Sequence, residues 1–190
     1  MRMMNKLKVA ACGFLLLTIA ASAQMPKHKE ERKTVTELLD RNVSNMEHEF
    51  RSAAEAMPED KFNFAPTNGE FKSVRTFAQQ IKHVAAVNYE IAAAILEQKS
   101  PVDINDEAGP ASITSKADTM KYLNDSFEYV HKAIATINES NLTGTVRGPF
   151  GEGTVSRLGL AMAITAHAFD HYGQMAVYLR MNGIIPPASR

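Results

Sequence analysis

SRLGLAMAITAHAFDHYGQMAVYLRMN, the run from Ser156 to Asn182, decides the fold. Leu158, Met162, Phe169, Tyr172 and Leu179 recur at helical spacing along one side, and Leu160, Ile164, Ala168, Met175 and Tyr178 along another. Gly183 and then Pro186-Pro187 stop the pattern. A helix that is apolar nearly all round is one packed from several directions, so this stretch predicts a buried helix and not a surface one. Into that apolar surface the sequence sets His167 and His171.

Three further helices are legible upstream. Thr34 and Glu37 form a capping box, and Val35, Leu38, Leu39, Val43, Met46 and Phe50 then recur at helical spacing as far as Met57. A second helix is expected from about Ser73 to Gln98 on the series Val74, Phe77, Ile81, Val84, Asn88, Ile91 and Ile95. A third begins after Ser115, with Asp118 as the partner of the cap, and reaches about Asn141. The segments between are loops, including 142–155 with its four glycines and one proline. No alternating apolar run is long enough for a central strand. The expected class is all-α, an antiparallel four-helix bundle over residues 34–187.

The first stretch stands outside this pattern. Arg2, Lys6 and Lys8 precede a short apolar run, Val9 to Ala20, and Ala21-Ser22-Ala23 offers a small-x-small cleavage site, so 1–23 reads as a cleaved signal peptide and 24–33 as a flexible tail. The run is shorter than the ~20 residues a membrane span needs, so no stable membrane insertion is expected after cleavage. Val9-Ala10-Ala11-Cys12 has the outline of a lipobox, but the apolar segment follows Cys12 instead of preceding it. An exported protein, periplasmic or secreted, is the expectation. Cleavage would remove Cys12, the single cysteine, leaving no disulfide and no thiolate ligand. It would also leave 18 basic against 21 acidic side chains, a net charge of −3, which argues against a nucleic-acid partner.

The histidines carry the chemistry. His167 and His171 are four residues apart, so their rings lie one turn from each other on one helical face and can grip a single ion. Gln174 and Tyr178 continue that stripe. His83 lies in the second helix, offset from its main apolar row and in line with Val87 and Glu90. If the second and fourth helices are neighbours, three imidazoles converge, and three neutral imidazoles leave coordination positions open for water. Spacing alone leaves the rival open, that these are core histidines satisfied by hydrogen bonds. His28 and His48 read as surface residues. Glu128-x-x-His131 resembles half of a di-iron carboxylate motif, but a second copy is absent. The zincin motif fails at Ala168, and the inverted form HxxEH finds Asp170 where it wants Glu. No G-x-S-x-G elbow, phosphate-binding glycine loop or Cys-x-x-Cys-His is present.

The run His167-Ala168-Phe169-Asp170-His171-Tyr172-Gly173-Gln174 resembles the HxxxHxGQ closing helix of the DinB-like (YfiT-like) superfamily. Ala56-Met57-Pro58-Glu59-Asp60-Lys61 resembles that family's first inter-helix turn, and 73–83, ending on His83, its second-helix motif. The three motifs occur in order over the mature chain. The resemblance implies a four-helix bundle whose metal ligands are His83, His167 and His171, with one divalent ion, nickel or zinc, and a homodimer. Gln174, and with it Tyr178, is expected just behind the ligands.

The family is a poor guide to reaction. It includes thiol-dependent S-transferases and proteins described only as metal-dependent hydrolases, and an exported chain would be parted from cytoplasmic thiols. The expected activity is therefore a mononuclear metal-dependent hydrolase acting on an unidentified small molecule through activated water, with Asp170 or Glu90 as candidate bases. The alternatives are the S-transferase and a non-catalytic dimeric metal-binding scaffold.

Overall fold

The structure is a computed structural model and describes residues 32–151 and 153–190. The expected signal peptide, His28 and almost all of the expected tail lie outside the described residues. Four helices account for most of what is described: α1 (Val35–Ala56), α2 (Phe77–Ile95), α3 (Lys116–Ile134) and α4 (Arg157–Met181). Each packs on two others, α2 and α1 both lying against α3 and α4, so the four close into a bundle. Gln80 meets Gln174 while His83, further along α2, meets His167, further back along α4; these two helices therefore run antiparallel. Among the described residues no helix is long and apolar enough to cross a membrane.

Side-chain caps set where the helices begin. Thr34 and Glu37 make the expected box, the Thr34 amide donating to the Glu37 carboxylate at 2.8 Å and the Glu37 amide to the Thr34 hydroxyl at 3.2 Å. Thr76 and Gln79 repeat the device and start α2 at Phe77, four residues later than expected. Ser73 could not have been helical, for its φ is +67°. At the other end Glu97 takes φ +55° and closes α2 early. Asn141 ends the third helical stretch sooner than its composition suggested: its side chain accepts from the Asn138 amide and donates to the Thr136 carbonyl, folding 135–142 into turns.

The loop expected between Leu142 and Val155 contains two short antiparallel strands, β1 (Thr145–Arg147) and β2 (Thr154–Ser156), with Val146 opposite Val155. Three residues per strand are too few for alternation to register as a pattern. Ser156, at the end of β2, caps α4 through the Gly159 amide, so the hairpin fixes where the last helix enters the bundle.

The core is built from Met46 and Phe50 of α1, Phe77, Ile81, Ile91 and Ile95 of α2, Leu123, Phe127 and Ile134 of α3, and Ile164, Met175 and Leu179 of α4, all fully buried. Burial of each such side chain contributes about 1.5–3 kcal/mol. α4 departs from expectation. Its side carrying Ile164, Ala168, Met175 and Leu179 is buried, but Met162, Phe169, Val177 and Met181 stand in solvent, at 59%, 45%, 51% and 47% exposure. Periodicity identifies an apolar face; it does not identify what covers it.

His131 proves to be a clip between helices. Its Nδ1 lies 2.6 Å from Asp40 and its Nε2 3.0 Å from Glu47, both on α1, while Glu128 points to solvent. Burial opposes charging this ring, but the two carboxylates outweigh it and raise the pKa above the usual histidine value. A group with a raised folded-state pKa stabilises the fold fully below its unfolded pKa, near 6.5, and loses that contribution as pH climbs through the folded value. Replacing it, His131→Gln, should cost about 1 kcal/mol at about pH 6 and clearly less at about pH 9, read from denaturant midpoints at the two values. Equal costs at both would mean that the ring is not charged in the fold.

Candidate metal centre

His83 sits near the middle of α2, and His167 and His171 sit one turn apart on α4 where the two helices cross. The Nε2 atoms of His83 and His167 are 3.1 Å apart. The three ring centroids are separated by 5.0, 4.9 and 4.6 Å, and one nitrogen from each ring lies within 4.8 Å of the others. Among the described residues no other group of three His, Cys, Asp or Glu side chains converges in this way.

Two rings are held by their outer nitrogens. The Nδ1–H of His83 donates to the Glu107 carbonyl at 2.9 Å, and the Nδ1–H of His171 donates to Gln80 Oε1. Both tautomers are thereby fixed with the Nε2 lone pair turned inward, the usual way in which outer partners aim histidine ligands. The Gln80 amide is itself oriented: its Nε2 donates to Gln174 Oε1 at 2.9 Å, and Gln174 Nε2 donates to Asp170 Oδ2 at 3.0 Å. A chain of hydrogen bonds thus runs from His171 through Gln80 and Gln174 to a carboxylate at the surface. Nδ1 of His167 is buried with no partner among the described residues.

Burial makes these rings poor proton acceptors. It is the first cause pushing His167 and His171 down to about 4, with neighbouring rings and the Arg75 charge adding to it, and it lowers His83 as well. All three are neutral at neutral pH, the form in which imidazole binds a metal. Two inward-facing nitrogens 3.1 Å apart need a proton or a cation between them. Nitrogens bound tetrahedrally to zinc at 2.0–2.1 Å stand about 3.3 Å from each other, so the spacing already present suits a shared divalent ion. Donor chemistry, tautomer and distance all fit.

The segment between α2 and α3 reaches the site at His83. Asn105, Asp106 and Glu107 take φ of +45°, +53° and +67° in succession, a conformation disfavoured for residues with a Cβ. The run is clasped by the Gly109 amide donating to the Ile104 carbonyl at 2.9 Å and by Asn105 Nδ2 donating to the Gly109 carbonyl at 3.2 Å. Its product is the Glu107 carbonyl held against His83.

The remaining expected residues divide. Asp170 is exposed and close enough for its charge to act on His167 and His171. Gln174 acts one step further from the ring than expected, because Gln80 stands between them. Tyr178 is buried and donates through its hydroxyl to the Arg75 carbonyl at 3.0 Å, which braces the approach to α2 and touches no histidine. Glu90 is seven residues beyond His83, about 10 Å along the helix axis. It lines a separate cavity of about 570 Å3, and burial, then Glu107 and Asp106, raises its pKa. His48 is exposed, as expected. Gln80 and Glu107 were given no role by the sequence. Gln80 had a signal, three residues before His83 and so on the same helical face; Glu107 had none.

Comparison with known proteins agrees with this picture. Residues 43–175, well over half of the chain, match the family model described as the DinB superfamily. No curated protein matches. Among solved structures, a DinB-like protein from Bacillus cereus is similar at 14% identity and a TM-score of 0.63, over 83% of this chain and 98% of that one. A DinB-like protein from Bacillus subtilis is similar at 15% identity and a TM-score of 0.60, over 77% and 92%. A conserved protein from Enterococcus faecalis is similar at 16% identity and a TM-score of 0.62, over 79% and 98%. At these identities the likeness is one of fold.

Proposed function

This chain belongs to the DinB superfamily, and on that footing we propose that it is an exported, homodimeric, mononuclear metal-dependent hydrolase of small molecules. The observation that carries the reading is the convergence of three neutral imidazoles, two of them aimed by outer hydrogen bonds, with no fourth protein ligand among the described residues. His83, His167 and His171 would hold one divalent ion, nickel or zinc. When bound, such an ion supplies Lewis acidity, polarising a substrate oxygen and lowering the pKa of water to about 7. The protein's own part is placement. Glu107 and Gln80 fix the rings, and the Gln80–Gln174–Asp170 chain keeps a negative charge behind His171, favouring its donation of electron density. Asp170 is better placed than Glu90 to accept a proton at the mouth, being exposed beside the rings while Glu90 lines another cavity. Export is the reason for preferring hydrolysis to thiol transfer.

The reaction is tested with the metal-loaded mature chain against carboxylic, phosphoric and thiol-acceptor substrates, beside a chelator-stripped control. Metal-dependent hydrolysis that the triad variant lacks supports the assignment; thiol transfer alone would replace it with the S-transferase, and turnover indifferent to metal would remove it.

The exposed face of α4 supports the dimer. Met162, Phe169, Val177 and Met181 form a stripe, and in its middle Gly173 has nothing within 4 Å of where a Cβ would stand. Glycine inside a helix costs roughly 0.5–1 kcal/mol against alanine, and nothing within the bundle requires it there. A second copy packing along α4 would explain both. Phe169→Glu should then convert a dimer to a monomer in light scattering with metal content unchanged; a wild-type monomer would remove the dimer.

A further inference from the structure

The entry to α2 and the loop after it form an open cavity of about 580 Å3, lined by Ser73, Arg75, Gln79, Lys82, Asn105 and Gly109 among others. Two cations line it and no carboxylate does, in a chain whose acidic and basic residues balance. Neither Arg75 nor Lys82 has an ion pair among the described residues. The polar groups are biased to donation. Lys82 Nζ gives one hydrogen bond to the Ile113 carbonyl at 3.1 Å and keeps two N–H donors. Gln79 Oε1 is occupied by the Thr76 amide at 2.8 Å, which leaves its NH2 group to donate. The Gly109 carbonyl is likewise occupied, by Asn105.

The cavity adjoins the metal centre through shared elements. Lys82 precedes His83, Gln79 precedes Gln80, and Asn105 and Gly109 flank Glu107, so the residues that shape the cavity are chain neighbours of those that aim the rings. The charge of Arg75 is felt at all three histidines.

We propose that this cavity binds an oxyanion, the carboxylate or phosphate end of the small molecule whose other end reaches the histidine triad, with Arg75 as its main contact and Lys82 and Gln79 closing on it. A concave surface with cations of one sign and unused donors concentrates anions, and an arginine fork matches the planar oxygens of either group. That the anion is a substrate rests on the hydrolase reading above. Its binding does not, because none of these groups is a metal ligand.

The test uses the mature chain, residues 24–190, stripped of metal and titrated calorimetrically with inorganic phosphate and, separately, with succinate. At least one anion is expected to bind the stripped chain, and the tighter of the two identifies the source as phosphate or carboxylate. Arg75→Gln should weaken binding about tenfold or more, the scale of a lost charge-assisted hydrogen bond, and Arg75→Lys less. Arg75 is exposed, so an unchanged thermal melt is expected to accompany the loss. Failure of both anions to bind, or full binding by Arg75→Gln, overturns the proposal. Binding that appears only with metal and vanishes in His83→Ala also overturns it, placing the anion on the ion itself and leaving the metal reading standing. Anion binding by a chain that takes up no metal sustains the cavity and removes the hydrolase.

Discussion

His171→Ala is expected to lower the affinity for zinc or nickel by at least two orders of magnitude while leaving the bundle folded. Apparent binding energies of about 10–16 kcal/mol for four-ligand zinc sites put one ligand at roughly 3 kcal/mol, which is a factor of about a hundred or more. Among the described residues only three candidate ligands converge, so the loss of one would leave a pair that competes poorly with buffer. The same substitution leaves the Gln80 carbonyl oxygen without its donor, and it opens a space between α2 and α4. A moderate loss of stability should accompany the loss of metal, and a circular dichroism spectrum separates the two. Gln80→Ala tests the layer behind the ligand. It keeps all three imidazoles but frees His171 to turn, and outer partners of this type are worth about 10–100-fold in affinity. Competition with a chromophoric chelator measures both variants. Equal affinities for wild type and His171→Ala would show that the ring is not a ligand.

Metal is expected to stabilise the fold strongly, because the ligands come from two helices that unfolding separates. A ligand that binds only the folded chain at a thousandfold excess over its dissociation constant adds about 4 kcal/mol. For a domain of this size, at roughly 2–4 °C per kcal/mol, the melting temperature should rise by roughly 8–16 °C when saturating metal is added to stripped protein. His83→Ala should abolish most of that rise, since it removes the contribution of α2 and leaves an ion held by α4 alone. A rise of the same size in His83→Ala would place the ion elsewhere.

The parts of the fold that were legible in sequence are those whose determinants are local. Thr34 with Glu37 marked the start of α1 and Ser115 with Asp118 that of α3, because a cap involves residues three apart. Thr76 with Gln79 is the same signal, but the apolar pair Val74 and Phe77 drew the expected start back to Ser73, where φ is positive. The i, i+4 histidines were legible for the same local reason. The third, His83, needed the assumption that α2 and α4 touch, which the family resemblance supplied and the fold bears out. What stayed hidden is non-local. Glu107 reaches His83 from 24 residues along the chain, through a left-handed run that nothing local in the sequence ties to His83. His131 was weighed against Glu128, its neighbour on one helix, whereas its partners Asp40 and Glu47 come from another. The apolar residues of α4 looked alike in sequence, and only the packing shows that Met162, Phe169, Val177 and Met181 are left to solvent.

His83, His167 and His171 are expected to bind one ion together. The most direct measurement is the metal content of the chain from Gln24 onward by elemental mass spectrometry, beside the variant in which all three are alanine. About one nickel, zinc or similar ion per chain is expected in the wild type and none in the variant, in keeping with a single set of three ligands. A wild-type chain that stays metal-free after incubation with divalent ions, or a variant that retains full occupancy, would contradict it.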